Sequence, residues 1–163
     1  MLEFHYWARD RVLDAAAQLT PEQFTRDMGS SFRSIRDTLV HLLSADNNWW
    51  LRWQGTSPTS MLDPDGYADV PTLRAAWSAQ EAKMRSFLAS LDDRSVMEAM
   101  DYKTLDGRPF RSAFWEMLHH VVNHGTYHRG QVQTMLRQLG ATPAKSLDAI
   151  TFYRERSASP GPQ

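Results

Sequence analysis

The sequence predicts an all-α fold, a four-helix bundle of up-down-down-up type with a long connection between the second and third helices. Three observations predict it: four long segments space their apolar residues by three and four, strand signals are confined to one short region, and a Gly-, Ser-, Asp- and Pro-containing stretch parts the second segment from the third. At 163 residues the chain is one domain by length, expected over 1–156, with a compositionally disordered tail at 157–163.

The first helix is expected from about Phe4 to Leu19, where Phe4, Trp7, Ala8, Val12, Ala15 and Leu19 keep the helical period. Thr20 as N-cap, Pro21 at the first position and Glu22 behind it start one short extra turn, which Gly29, Ser30 and Ser31 break. The second helix opens at Ser34, with Asp37 three residues on, and carries Ile35, Leu39, Leu42, Leu43, Trp49, Trp50 and Trp53 before Gly55 ends it. Residues 56–71 show no sustained period and are expected to cross one end of the bundle as a long surface connection. The third helix runs from about Thr72 to Leu91 on Leu73, Trp77, Met84, Phe87 and Leu88. Asp106-Gly107 between short alternating segments predicts a small hairpin. The fourth and longest helix runs from about Ser112 to Leu139 and stops at Gly140, with Pro143 just beyond.

Lys and Arg number 18 against 19 Asp and Glu, so a formal charge of -1 gives no field that favours nucleic acid or an anionic membrane surface. With no cysteine, disulfides, thiolate metal sites and a protein-borne sulfur nucleophile are excluded, and a metal here must use nitrogen and oxygen. The opening residues lack a basic stretch followed by a continuous apolar one, and no later segment is long enough to span a bilayer. A cytoplasmic protein is the expectation.

The segment "HHVVNHGTYHRGQ" places four of the six histidines within ten residues of the fourth helix. At about 100° per residue, His124 and His128 lie about 40° apart, one turn above the other. Met117, Val121, Val132, Met135 and Leu139 share their sector, while His119, Thr126, Gln133 and Arg137 fall opposite. Two imidazoles in an apolar stripe cost on the order of 2 kcal/mol each unless partnered, and a divalent metal partners both at once. Carbonyl or carboxylate partners in an ordinary core are the alternative. A third ligand must come from elsewhere: His41 in "LVHLL" of the second helix, with His120 and His5 as competitors. Gln131 and Asn123 project near enough to orient ligands, whereas Arg129 and Gly130 project away. No Glu stands in "HGTYH" to make a zincin, and the chain lacks a nucleophile elbow, a phosphate-cradling loop and the Glu-x-x-His pairs of di-iron bundles.

The segments "YWARDRVLDAAAQLTPEQF", "SIRDTLVHLLSADNNWWLRWQG", "NHGTYHRGQVQTMLRQLG" and "DAITFYRER" together resemble the DinB/YfiT-like metal-dependent four-helix bundle family. The resemblance covers most of the chain, and it implies that the three ligands are His41, His124 and His128, demoting His120 and His5. It implies a divalent ion, Zn or Ni first and Fe or Cu next, and no DNA binding. It further implies a thiol-dependent S-transferase acting on small electrophiles in stress or detoxification, whose thiol must be a low-molecular-weight cosubstrate because the chain has none. Trp49, Tyr127 and Arg129 are the expected pocket neighbours. A metal-dependent hydrolase and a non-catalytic metal- or ligand-binding bundle are the alternatives. A homodimer is expected, with Trp115 and Val122 on the side of the fourth helix opposite the histidines meeting either a second subunit or the rest of the chain.

Overall fold

The computed structural model describes residues 1–158. Its elements are α1 (Leu2–Ala16), α2 (Pro21–Thr25), α3 (Ile35–Trp53), a 3-10 turn at Pro64–Gly66, α4 (Val70–Ala89), α5 (Asp93–Met97), β1 (Ala99–Lys103), β2 (Pro109–Ala113), α6 (Phe114–Gln138) and α7 (Ala149–Ala158). The long helices α1, α3, α4 and α6 form the expected bundle. Their boundaries follow the caps: Ser34 Oγ accepts from Asp37 N, and Asp69 accepts from Thr72 N to start α4 two residues ahead of the expected Thr72. Helix α1 stops at Ala16, short of Leu19, because Thr20 and Gln23 cap each other reciprocally and restart the chain as α2. Helix α6 begins at Phe114, not Ser112, because Ser112 and Ala113 are taken by β2, paired with Met100 and Ala99 of β1.

Packing fixes the helix directions. Glu3, Arg9 and Asp14 of α1 pair with Arg85, Glu81 and Arg74 of α4, so these two run antiparallel. His41, Trp49 and Trp53 of α3 meet His124, His120 and Phe114 of α6, again antiparallel. Asp46 and Trp53 of α3 meet Trp77 and Phe87 of α4, which makes that pair parallel. Near the start of α1, Phe4 and Ala8 pack with Val122 of α6; near its end, Val12, Leu13 and Ala16 pack with Val132, Met135 and Leu136, which is parallel. The order is up, down, down, up.

Parallel α3 and α4 require the chain to return the full length of a helix between them. The connection therefore does not cross one end, as the sequence suggested, but doubles back along α3: Asn48 Nδ2 donates to Ser60 O at 3.2 Å, Leu62 N donates to Ser44 Oγ at 2.9 Å, and Asp65 pairs with Arg36 at 3.0 Å. The hairpin predicted at Asp106-Gly107 is present, with Gly107 at φ 84. It links α4 to α6 at the far end of the bundle.

Helix α7, which the apolar period did not reveal, sets Phe152 over Phe4, Ala8 and Val122. Val122 is thus covered within the chain, while Trp115 stays exposed. Ser157 and Ala158, expected in the tail, lie in the last turn of α7, and the remainder of that tail, 159–163, lies outside the described residues. Among the described residues no helix is long and apolar enough to cross a membrane.

Candidate metal centre

Antiparallel packing of α3 on α6 brings His41 opposite the pair spaced one turn apart on α6. His41 Nε2 lies 3.1 Å from His124 Nε2, and His128 Nε2 lies 3.1 Å from the same atom. His41, His124 and His128 are one group whose ligand atoms all fall within 4.8 Å of one another, and they could hold a metal ion. Three imidazole nitrogens at about 2.0–2.1 Å from a shared tetrahedral ion stand a little over 3 Å apart, so the donor set fits such an ion.

The electrostatics agree. Burial, with the neighbouring His128 adding to it, holds the His41 imidazole down at about 4. Burial, then His128, His41 and His120, holds His124 down at about 3, with Asp46 opposing. Both rings are neutral at pH 7, the state that offers a lone pair to a metal. His128 Nδ1 lies 2.7 Å from Gln131 Oε1; an amide oxygen only accepts, so Nδ1 carries the proton and Nε2 is left free to ligate.

A pH dependence follows. The folded values lie below the value near 6.5 of an unfolded histidine, so between about pH 4 and 6.5 the unfolded chain binds protons that folded His41 and His124 refuse. Stability of the chelator-treated protein is therefore full above about pH 6.5 and falls as pH drops through that value. Urea midpoints should decline from pH 7.5 to 5, and less steeply in His124→Gln; a flat midpoint would contradict the assignment.

The remaining expected residues are placed unequally. Tyr127 is 64% exposed and its ring meets His128 edge-on at 4.9 Å. Trp49 is one ring removed: it meets His120 at 5.2 Å, and His120 in turn stacks on His124 at 5.5 Å. Arg129 does not face the cluster. It is 2% exposed, turned toward α1, and donates from Nη1 to His5 Nδ1 at 3.3 Å and from Nη2 to Thr126 Oγ1 at 3.1 Å. His5, 1% exposed, is likewise outside the cluster.

His5 joins a buried chain that sequence reading did not find. Because Arg129 can only donate, His5 Nδ1 accepts, and His5 Nε2 donates to Asp46 Oδ2 at 3.2 Å. Trp77 Nε1 donates to the same oxygen at 2.8 Å. A neutral imidazole thus bridges a buried guanidinium and a buried carboxylate, tying all four long helices together behind His124. A carboxylate in the apolar stripe of α3, five residues after His41, was the signal available. Gly125 makes room for this chain: a Cβ there would lie 2.7 Å from Arg129 Nη1 and 2.7 Å from His5 Cε1. Gly125→Ala should destabilise by about 1–3 kcal/mol despite alanine's better helix propensity. Denaturant unfolding tests this, and a variant as stable as wild type would show that the chain adjusts freely.

Phe32 was also missed. Its ring stacks on His41 at 3.9 Å and meets His128 at 5.4 Å, held there by the loop before α3. No helical period marks a loop aromatic.

Bundle and cluster define a class: an all-α protein with parallel second and third long helices, whose second and opposed fourth long helices carry three convergent imidazoles. The model of the DinB family matches residues 1–155, and the chain belongs to that family. It is similar to Protein DinB of Bacillus subtilis (strain 168), 28% identical with 88% of this chain and 87% of the relative covered. It is also similar to the uncharacterized protein YizA of the same organism, at 22% identity over 88% and 89% of the two chains. Among solved structures, a DinB-like protein from Bacillus cereus ATCC 10987 superposes with TM-score 0.66 at 18% identity, covering 89% of this chain and 94% of that one. A conserved protein from Enterococcus faecalis gives TM-score 0.63 at 15% identity over 83% and 92%.

Proposed function

We propose that this protein is a divalent-metal-dependent, thiol-using S-transferase for small electrophiles, with His41, His124 and His128 as the ligands and Zn or Ni as the ion. The observation that carries the reading is the convergence of three ring nitrogens in one half-buried cluster, two of them on rings held neutral, backed by Gln131 on His128. A structural zinc site is closed by four protein ligands, whereas three leave room for a small molecule. What a divalent ion supplies in such a setting is ionisation of a thiol near neutral pH.

The chain's own residues do the rest. Gln131 holds the His128 ring in its ligating tautomer, and Phe32 excludes water from one face of His41. The absence of cysteine makes the thiol a cosubstrate. In the reaction the S–H proton passes to solvent, the S–C bond forms, and the leaving group departs with its electron pair. The reading includes a cytoplasmic setting, where low-molecular-weight thiols are kept reduced, and a homodimer, for which the exposed Trp115 ring is the support.

The test is cobalt substitution followed by addition of 2-mercaptoethanol, with turnover of 1-chloro-2,4-dinitrobenzene measured alongside. A sulfur-to-cobalt charge-transfer band, with turnover lost on chelation and restored by Zn or Ni, is expected. A steep stability loss on metal removal with neither band nor turnover would instead make the protein a non-catalytic metal-binding bundle.

A further inference from the structure

Beside the histidine cluster lies a cavity of about 310 Å3 whose wall includes His41 and Phe32. The rest of that wall is Met61, Leu62 and Pro64 from the connection that doubles back along α3, with Ser31, Arg33 and Asp37 at its edge. A larger hollow of about 490 Å3, between Gly55 and the β1–β2 hairpin, has no histidine in its wall. The smaller one shares a ring with the candidate ligands.

Its chemistry is apolar, and its charges are spoken for. Arg33 and Asp37 are of opposite sign and each has a partner of its own, Arg33 with Asp27 at 3.1 Å at the solvent-exposed rim and Asp37 with Arg36 at 3.0 Å. The connection is pinned: the Met61 sulfur accepts from Ser44 Oγ at 3.5 Å and Asn48 Nδ2 at 3.4 Å, and Leu62 N donates to Ser44 Oγ. A wall held by three such contacts to buried residues of α3 is pre-formed, so little ordering cost attends binding. Met61 is still 37% exposed, which leaves apolar surface for a ligand to cover.

We infer that this cavity is the recognition pocket for the substrate's uncharged apolar group, of aromatic-ring size, attached to a donor that reaches the histidine cluster. Met61 and Phe32 are its specificity-determining residues. This rests on the metal reading and adds to it where the substrate lies and what kind of molecule is accepted: neutral and apolar, on the Phe32–Met61 side of His41 and not on the Trp49 side.

The probes are imidazole and 4-phenylimidazole, neutral donors that differ by one phenyl ring, titrated into the cobalt-loaded full chain and followed by its visible spectrum. 4-Phenylimidazole should bind at least about tenfold more tightly, since burying a ring is worth that much or more. The preference should fall below about threefold in Met61→Glu, which places a charge in the pocket, and should shrink in Met61→Ala, which tests the same wall should the first variant fold poorly. In the zinc form the Met61 methyl resonance should move with 4-phenylimidazole and stay with imidazole. Equal affinity for the two probes, or a preference that both variants retain, overturns the pocket while leaving the metal site standing. Failure of the wild-type chain to bind cobalt at all removes the metal reading and this inference with it.

Discussion

Replacing His124 by alanine should lower metal affinity by more than about a hundredfold in the folded protein. His124 is the hub of the cluster, with the Nε2 atoms of both His41 and His128 at 3.1 Å from its own. Loss of an outer partner such as Gln131 alone typically costs about 10–100-fold, and loss of a ligand costs more. The fold should survive, because the ring is only half-buried, and burial, then the neighbouring imidazoles, holds its basicity down to about 3, so its removal takes away a group that sits there at a cost. Competition against a chelator of known affinity, beside a circular dichroism melt, measures both quantities. His120→Ala is the control: its ring stacks on His124 but lies outside the group of three, so it should change affinity by less than about tenfold. A folded His124→Ala that binds zinc as wild type does would end the assignment.

Replacing Asp46 by alanine should cost about 3–5 kcal/mol of stability, because it removes one of two opposite buried charges, Asp46 and Arg129, that His5 joins. Asp46 is 2% exposed, and its carboxylate accepts from both Trp77 and His5. Without it those donors lose their acceptor, and Arg129 loses the charge that offsets a burial strong enough to bring the guanidinium down to about 10. Of a domain stability of about 5–15 kcal/mol this is a large share. Adding Arg129→Met to Asp46→Ala should recover part of the loss, because the orphaned charge then disappears with its partner. Urea unfolding of the metal-free single and double variants checks this; a loss below about 1 kcal/mol would mean that water reaches the site and that the chain of polar groups is not structural.

How much of this was legible differs from residue to residue. His124 and His128 were readable as a pair because a helix places residues four apart on one face, and Met117, Val121 and Val132 show which face is inward. His41 was one of three candidates by geometry and was singled out by family resemblance. Its position opposite His124 depends on the antiparallel approach of α3 and α6, which no local period encodes. Arg129 shows a mixed outcome: its helical projection away from the histidines holds, but its expected place beside the pocket does not, because His5 and Asp46, distant in sequence, supply partners that let it sit in the core.

The sequence by itself determined the four long helices, the caps at Thr20 of α2 and Ser34 of α3, and the Asp106-Gly107 turn, because each depends on neighbours within a few residues, and its composition alone showed that it has no cysteine. Only the tertiary structure decided the path of the connection along α3, the partners of Asp46, the place of Phe32 over His41 and the cavity it shares with Met61. Those depend on which surfaces meet, and the meeting of surfaces is set by the packing of whole helices rather than by any stretch of chain short enough to be read alone.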